Sequence, residues 1–272
     1  MNKHAVLILA HEKIDHIFEY ANLLPKSNFY IHMDLKSGPI YYENYPHNVY
    51  FLPDSLRYSI NWAGYSMVEA SNSLFSYALQ NKENTYFHLM SGNDLILKNI
   101  DTLKFDENKI YMDCIESYEH RYRIRFNTLH ANKPYQRKIL GKALTYLYKL
   151  MDKAIPTDIR PYYGSQWFSI HRNHLQVIMN SITPEIDNFF KKKLCPDEHY
   201  YQYLVYKNNL YPLLSTTGNK RFIVFDKEFN NGNNPIFLDI EQLKSIDSNK
   251  YWFARKVKTN TINSYLKTVG LK

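Results

Sequence analysis

Short apolar runs alternate with amphipathic stretches along the first third of the chain, the pattern from which α/β layer folds are built. Residues 5–10, all apolar, read as a buried strand. Ile14, Ile17, Phe18, Ala21 and Leu24 recur at helical spacing and predict a helix over 14–24. Residues 29–33 and 49–52 read as the next two strands, and 64–80 as a long helix with Met67, Ala70, Leu74, Tyr77 and Ala78 on one side. A fourth strand over 86–90 is stopped by Ser91-Gly92-Asn93-Asp94, and 110–113 reads as a fifth.

The middle of the chain differs. Residues 118–153 are crowded with Arg, Lys and Tyr and hold few strong apolar runs. Beyond them the pattern predicts a strand over 164–170, helices over 173–181 and 196–208, and a strand over 221–225. An Asn-rich loop over 230–235, a short helix from Ile240, an extended stretch over 251–254 and a polar C-terminal helix complete the reading. There is neither an internal repeat nor a convincing linker, so one domain over 1–272 is expected.

Composition narrows the function classes. At 44% hydrophobic, 272 residues suffice for one substantial core or two closely joined small ones. No stretch approaches the roughly 20 apolar residues of a membrane span. The opening apolar run is too short for a secretion signal, and His11-Glu12-Lys13 follows where small residues would mark cleavage. Two distant cysteines, Cys114 and Cys195, argue against a disulfide framework and for a reducing cytoplasm. A net charge of +8 asks for an anionic partner: a nucleic acid, an acidic membrane surface or a phosphorylated substrate. The 25 tyrosines can stack on bases or sugar faces alike.

Several chemistries lack their motifs. Neither GxGxxG nor GxxxxGK[ST] occurs, which disfavours a dinucleotide oxidoreductase or a P-loop NTPase. HExxH, paired CxxC and the Asp-x-Asp pair that holds a metal on many sugar-nucleotide donors are also missing. In open α/β sheets, ligands gather beyond the carboxyl ends of the strands. Those ends carry His11, Asp34 with Lys36, Asp94 and Asp113, although any loop would offer polar residues there.

Seven segments, in order, carry a resemblance. They are residues 7–11, 30–37, 60–70 (with Trp62-Ala63-Gly64 and Glu69), 87–94, Gly164-Ser165-Gln166-Trp167-Phe168-Ser169, Pro196-Asp197-Glu198 and Phe253-Ala254-Arg255-Lys256. Together they resemble the core-2/I-branching N-acetylglucosaminyltransferase family, glycosyltransferase family 14. The resemblance spans nearly the whole chain and is weakest over 118–163. It implies an α/β, GT-A-like glycosyltransferase fold with a Rossmann-like nucleotide-binding half over about 1–115. An acceptor-binding and catalytic half over about 116–272 would follow.

It also implies inversion at the anomeric carbon and a donor diphosphate bound without metal, so no cofactor is expected beyond the UDP-sugar co-substrate. Such a displacement needs a base for the acceptor hydroxyl, and the family position falls on Glu198. An acidic residue after Pro196 is also an ordinary helix start. Fixed cations must meet the charge of the departing diphosphate; the matching positions are Arg221 and Lys256, with Arg255 the neighbour most easily confused with Lys256. His11 and Asp34 match positions that contact the nucleoside, while Asp94 and Trp167 match segments near the sugar and acceptor. Trp62 and Glu69 are expected to fix the long helix against the sheet.

The expected partners are therefore a UDP-sugar donor, with UDP-N-acetylglucosamine first, and a glycan or lipid-linked glycan acceptor. UDP-xylose, UDP-galactose and UDP-glucose are the alternative donors, and a non-catalytic carbohydrate- or nucleic-acid-binding module is the rival class. The basic, Tyr-rich segment 118–149 reads either as a solvated face or as a surface for an anionic membrane or the acceptor, in preference to nucleic acid, which is not an expected partner. A Lys-, Asn- and Tyr-rich chain with no stem or anchor suggests a bacterial protein of surface polysaccharide synthesis. The expected location is the cytoplasm, at the inner face of the plasma membrane.

Overall fold

A computed structural model describes residues 3–39, 42–226 and 234–272. The first half comprises β1 (Lys3–Ala10), α1 (Asp15–Leu23), β2 (Asn28–Met33), β3 (Val49–Phe51), α2 (Tyr65–Leu79), β4 (Asn84–Ser91), β5 (Asp94–Ile96) and β6 (Ile115–Glu116). The middle holds α3 (Tyr122–Arg125), α4 (Ile139–Ala154), β7 (Tyr162–Tyr163), β8 (Ser169–His171), α5 (Arg172–Asn180) and α6 (Pro184–Phe190). After these come α7 (Tyr200–Lys207), β9 (Arg221–Ile223), α8 (Ile240–Ser245), β10 (Phe253–Arg255) and α9 (Thr259–Thr268).

The main sheet runs β3-β2-β1-β4-β8, parallel except for β8, which lies antiparallel on β4. Its central strand β1 is apolar on both faces because helices cover both. Side chains alternate across a strand, and two cores result. Val6, Ile8 and Ala10 join Ile17 and Tyr20 of α1 and Ile262 and Tyr265 of α9. Ala5 and Leu7 join Val68 and Leu74 of α2, Leu175 of α5 and Leu204 of α7. The fold is thus the mixed α/β arrangement expected of a GT-A-like protein.

A second sheet, β5-β10-β9, brings the C-terminal region back to the first half. β10 pairs antiparallel with β5, setting Arg255 opposite Asp94, and parallel with β9. A two-stranded pair, β6-β7, sets Ile115 opposite Tyr163.

Most predicted elements of the first half lie within a residue or two of those observed. Residues 110–113 do not form a strand; Ile110 and Tyr111 make single bridges, to Leu214 and Ser169. The helix expected over 196–208 is split into a 3-10 turn, Pro196–Glu198, and α7, because His199 leaves helical geometry at φ −132°. The strand expected over 164–170 is confined to β8. Of the expected loop over 230–235, residues 230–233 lie outside the described residues. The sixteen-residue α4 has no counterpart in the prediction.

Several buried histidines give the fold a pH dependence. His4 contacts His88 at 3.1 Å, and His88 in turn contacts Ser169 Oγ at 2.8 Å. His32 Nε2 accepts from the Tyr58 amide at 2.9 Å. Burial lowers His4 and His32 to about 4, and burial reinforced by Arg123 lowers His199 to about 3. The unfolded chain, with histidines near 6.5, then binds more protons than the folded one below about 6.5. Stability should therefore be full above pH 6.5 and fall as pH drops towards 4. Urea unfolding midpoints across that range check it; a flat profile would contradict it.

Candidate active site

The site begins with a backbone constraint. Gly164 packs so tightly on the main chain of Asp113 that a Cβ there would lie 1.7 Å from the Asp113 carbonyl oxygen. Its amide donates to the Glu198 carbonyl at 3.0 Å. Cys195, in the left-handed region at φ 46°, turns the chain into the 3-10 turn, and the Glu198 amide closes it on the Cys195 carbonyl at 3.1 Å. His199 Nδ1 meets the Tyr162 carbonyl at 2.6 Å. Two of the resembling segments, 164–169 and 196–198, are thereby locked together.

Glu198 opens onto a cleft of about 750 Å³. Its carboxylate forms an ion pair with Arg123, whose guanidinium lies 5.6 Å from the centre of the Tyr163 ring and 5.9 Å from that of Tyr122. The neighbouring Asp197 is buried with Oδ1 unpaired. Burial, and then the charge of Glu198, push its carboxyl well above the ordinary range. Asp197 thus sits buried and unpaired directly before a Glu198 that is paired with Arg123.

Also lining the cleft, Arg255 lies 4.5 Å from the centre of the Trp167 ring and bonds Asp94 Oδ1 at 2.6 Å. The other Asp94 oxygen accepts from the Ser91 amide at 2.9 Å, closing the turn after β4. Trp167, Arg255, Glu198 and Arg123 all line the cleft. Lys256 follows directly on Arg255; it is half-buried, and its ammonium forms no hydrogen bond or salt bridge among the described residues. Burial first, and Arg255 second, lower its pKa. At the rim, Arg137 stacks 3.5 Å from the centre of the exposed Trp62 ring, and Lys142 and Lys149 of α4 add charge. Trp62, expected to fix α2, is instead more than half exposed.

His11 and Asp34 lie at the carboxyl edge of the parallel sheet, outside the cleft lining. The Asp34 amide donates to the Ala10 carbonyl at 2.7 Å, joining the ends of β1 and β2. The Asp34 carboxylate accepts from the amides of Lys36 (2.9 Å) and Ile60 (3.2 Å). His11 is exposed, its ring 3.5 Å from Glu12. Behind them the buried Arg57 donates to the carbonyls of Met33, Asp34 and Gly38, fixing the loop.

Arg221, expected at the donor diphosphate, is buried and, like Lys256, absent from the cleft lining. Its terminal nitrogens donate to the carbonyls of Asn219 (2.6 Å), Leu89 (2.9 Å) and Phe168 (3.0 Å). Its fork is spent on main chain, clamping the end of β4 to the segment before β8. Conversely, Arg123 was not singled out from the sequence as a site residue. It was visible only as one cation in 118–125, and nothing local connects it to a carboxylate 75 positions away.

Among the described residues, no three His, Cys, Asp or Glu side chains are grouped so as to hold a metal ion. The family model described as Core-2/I-Branching enzyme matches residues 7–249. No curated protein matches the chain.

The contrast between the two expected cations is measurable. Arg221→Ala strands several buried carbonyls and should lower unfolding stability by about 3 kcal/mol. Lys256→Ala, which loses only a 5.5 Å contact with the Phe237 ring, should change it by no more than about 0.5 kcal/mol. Equal stabilities for the two variants in urea would contradict the clamp.

Proposed function

The chain belongs to the Core-2/I-branching enzyme family, a family of glycosyltransferases, and from that premise we propose that it is an inverting transferase with Glu198 as its base. The donor is a UDP-sugar, foremost UDP-N-acetylglucosamine, and the acceptor a hydroxyl of a glycan or lipid-linked glycan in bacterial surface polysaccharide synthesis. The observation that carries the reading is the carboxylate of Glu198, opening on a cleft and held from both backbone sides.

In the proposed step the acceptor oxygen attacks the anomeric carbon from the face opposite the diphosphate. The new glycosidic bond forms as the bond to the diphosphate oxygen breaks, and the acceptor proton passes to Glu198. Arg123 keeps the carboxylate oriented before the acceptor arrives. The leaving UDP gains negative charge, which fixed cations meet without a metal bridge. Lys256, with an ammonium engaged by no described carboxylate, is the first of these, and Arg255 stands beside it.

Arg255 is already tied to Asp94 and stacked on Trp167, so the same cation links the donor charge to residues placed for the sugar. His11 and Asp34, joined at the ends of β1 and β2, are where the parallel sheet would receive the nucleoside. The exposed Trp62–Arg137 stack, with Lys142 and Lys149, suits an acceptor bearing phosphate.

Glu198→Gln removes the base while preserving shape. Transfer should fall by at least about a hundredfold, with UDP affinity by calorimetry nearly unchanged. Full activity in that variant would remove Glu198 from the mechanism. Wild-type transfer should persist in EDTA, and strict dependence on added manganese would refute the metal-free part. A donor panel with product analysis separates N-acetylglucosamine from xylose, galactose and glucose.

A further inference from the structure

Helix α4 is folded inside out. At about 100° per residue, Ile139, Leu150, Ala143, Leu147, Leu140 and Leu144 fall on one arc of roughly 140°. A surface helix of a globular protein turns such an arc to the core; this one turns it to solvent. Ile139 is 89% exposed, Leu140 60%, Leu147 51% and Leu150 46%, whereas the only buried residues of the helix are Gly141 and Asp152.

Polar contacts hold the helix down. Asp152 is clamped by Arg121 and Arg125, each at 3.1 Å, and Thr145 Oγ1 meets His130 at 2.9 Å. Gly141 lets the main chain close on Tyr135 and Gln136, where a Cβ would sit 2.4 and 2.1 Å from their carbonyl oxygens. The side facing the body is therefore satisfied, and nothing covers the apolar side.

Charge identifies the occupant. Lys142, Lys149 and Lys153 lie together on the helix flank, and Lys138 precedes its first turn. The only acidic side chain on the helix, Asp152, is already neutralised from within the chain. A second copy of α4 would bring the same lysines against these. An apolar arc edged by lysines fits instead the headgroup boundary of a bilayer with anionic lipids. The apolar surface also continues past the helix end through Ile155 and Ile159, both exposed.

We propose that α4 lies in the interface of an anionic lipid bilayer with its apolar arc inserted and its lysines at the headgroups. No described helix is long and apolar enough to cross a membrane, so this contact is peripheral. Lys142, Thr145, Tyr146 and Lys149, on the adjoining arc, line the cleft. Docking thus brings the mouth of the cleft to the lipid surface, which deepens the proposed reading of a lipid-linked acceptor. The binding itself rests on α4 alone, and its measurement involves no sugar transfer, so the two can fail separately.

The test is flotation of the purified chain with vesicles of phosphatidylcholine alone and of phosphatidylcholine mixed with phosphatidylglycerol. The expected result is binding to the mixed vesicles that weakens with added salt. The double variant Leu147→Ser, Leu150→Ser should reduce it at least about tenfold while leaving the unfolding midpoint in place, because both side chains are exposed. Lys138→Gln with Lys153→Gln, neither lining the cleft, should reduce the preference for anionic vesicles. Three results would overturn the proposal: no binding to the mixed vesicles, binding unchanged in both double variants, or a wild-type dimer that the leucine variant converts to monomer.

Discussion

At Gly164 the main chain touches Asp113 on one side and donates to the carbonyl of Glu198 on the other. Any side chain there would collide with the Asp113 backbone, so the close approach exists only because the residue is glycine. This contact ties the segments before β6 and after β7 to the turn after Cys195, and it fixes where the Glu198 carboxylate can stand. Arg123 then completes the arrangement by charge. A main-chain contact thus sets the position of the carboxylate, and an ion pair sets its direction.

The part of the cleft lined by Arg255 depends on the second sheet. Because β10 adds to β5 with Arg255 opposite Asp94, a strand from the end of the chain delivers a cation to the edge of the first half. The buried Arg221 reinforces that junction by binding the carbonyls of Leu89 and Phe168. Desolvating a guanidinium is costly unless its donors are engaged, and here backbone oxygens engage most of them. A cation that resembles a phosphate ligand in sequence is spent on architecture, while Lys256, after β10, makes no hydrogen bond or salt bridge among the described residues and has only the Phe237 ring, 5.5 Å away, against its ammonium.

Local pattern made the first half legible. The continuous apolar β1 and the helical spacing of α1 and α2 need no distant partner to be read. The division of 196–208 was not legible, because His199 breaks the helix through a contact with Tyr162 that only the folded chain supplies. Helix α4 was missed for another reason. Its apolar positions do recur at helical spacing, but the interleaved lysines and tyrosines make the segment look like a solvated basic stretch. At the site, Glu198, Trp167, Asp94 and the Arg255–Lys256 pair were visible as motifs. Arg123 and the burial of Arg221 were not, since both follow from tertiary contacts between residues far apart in sequence.

The central claim is that the Glu198 carboxylate meets the acceptor hydroxyl at the moment of transfer. A crystal structure of the Glu198→Gln variant with a UDP-sugar and an acceptor glycan tests this most directly. The account predicts the attacking hydroxyl within about 2.6–3.2 Å of the residue 198 side chain, with the diphosphate on the opposite face of the sugar beside Lys256. A ternary complex with the acceptor hydroxyl outside hydrogen-bond reach of residue 198 and another group beside it would contradict the account.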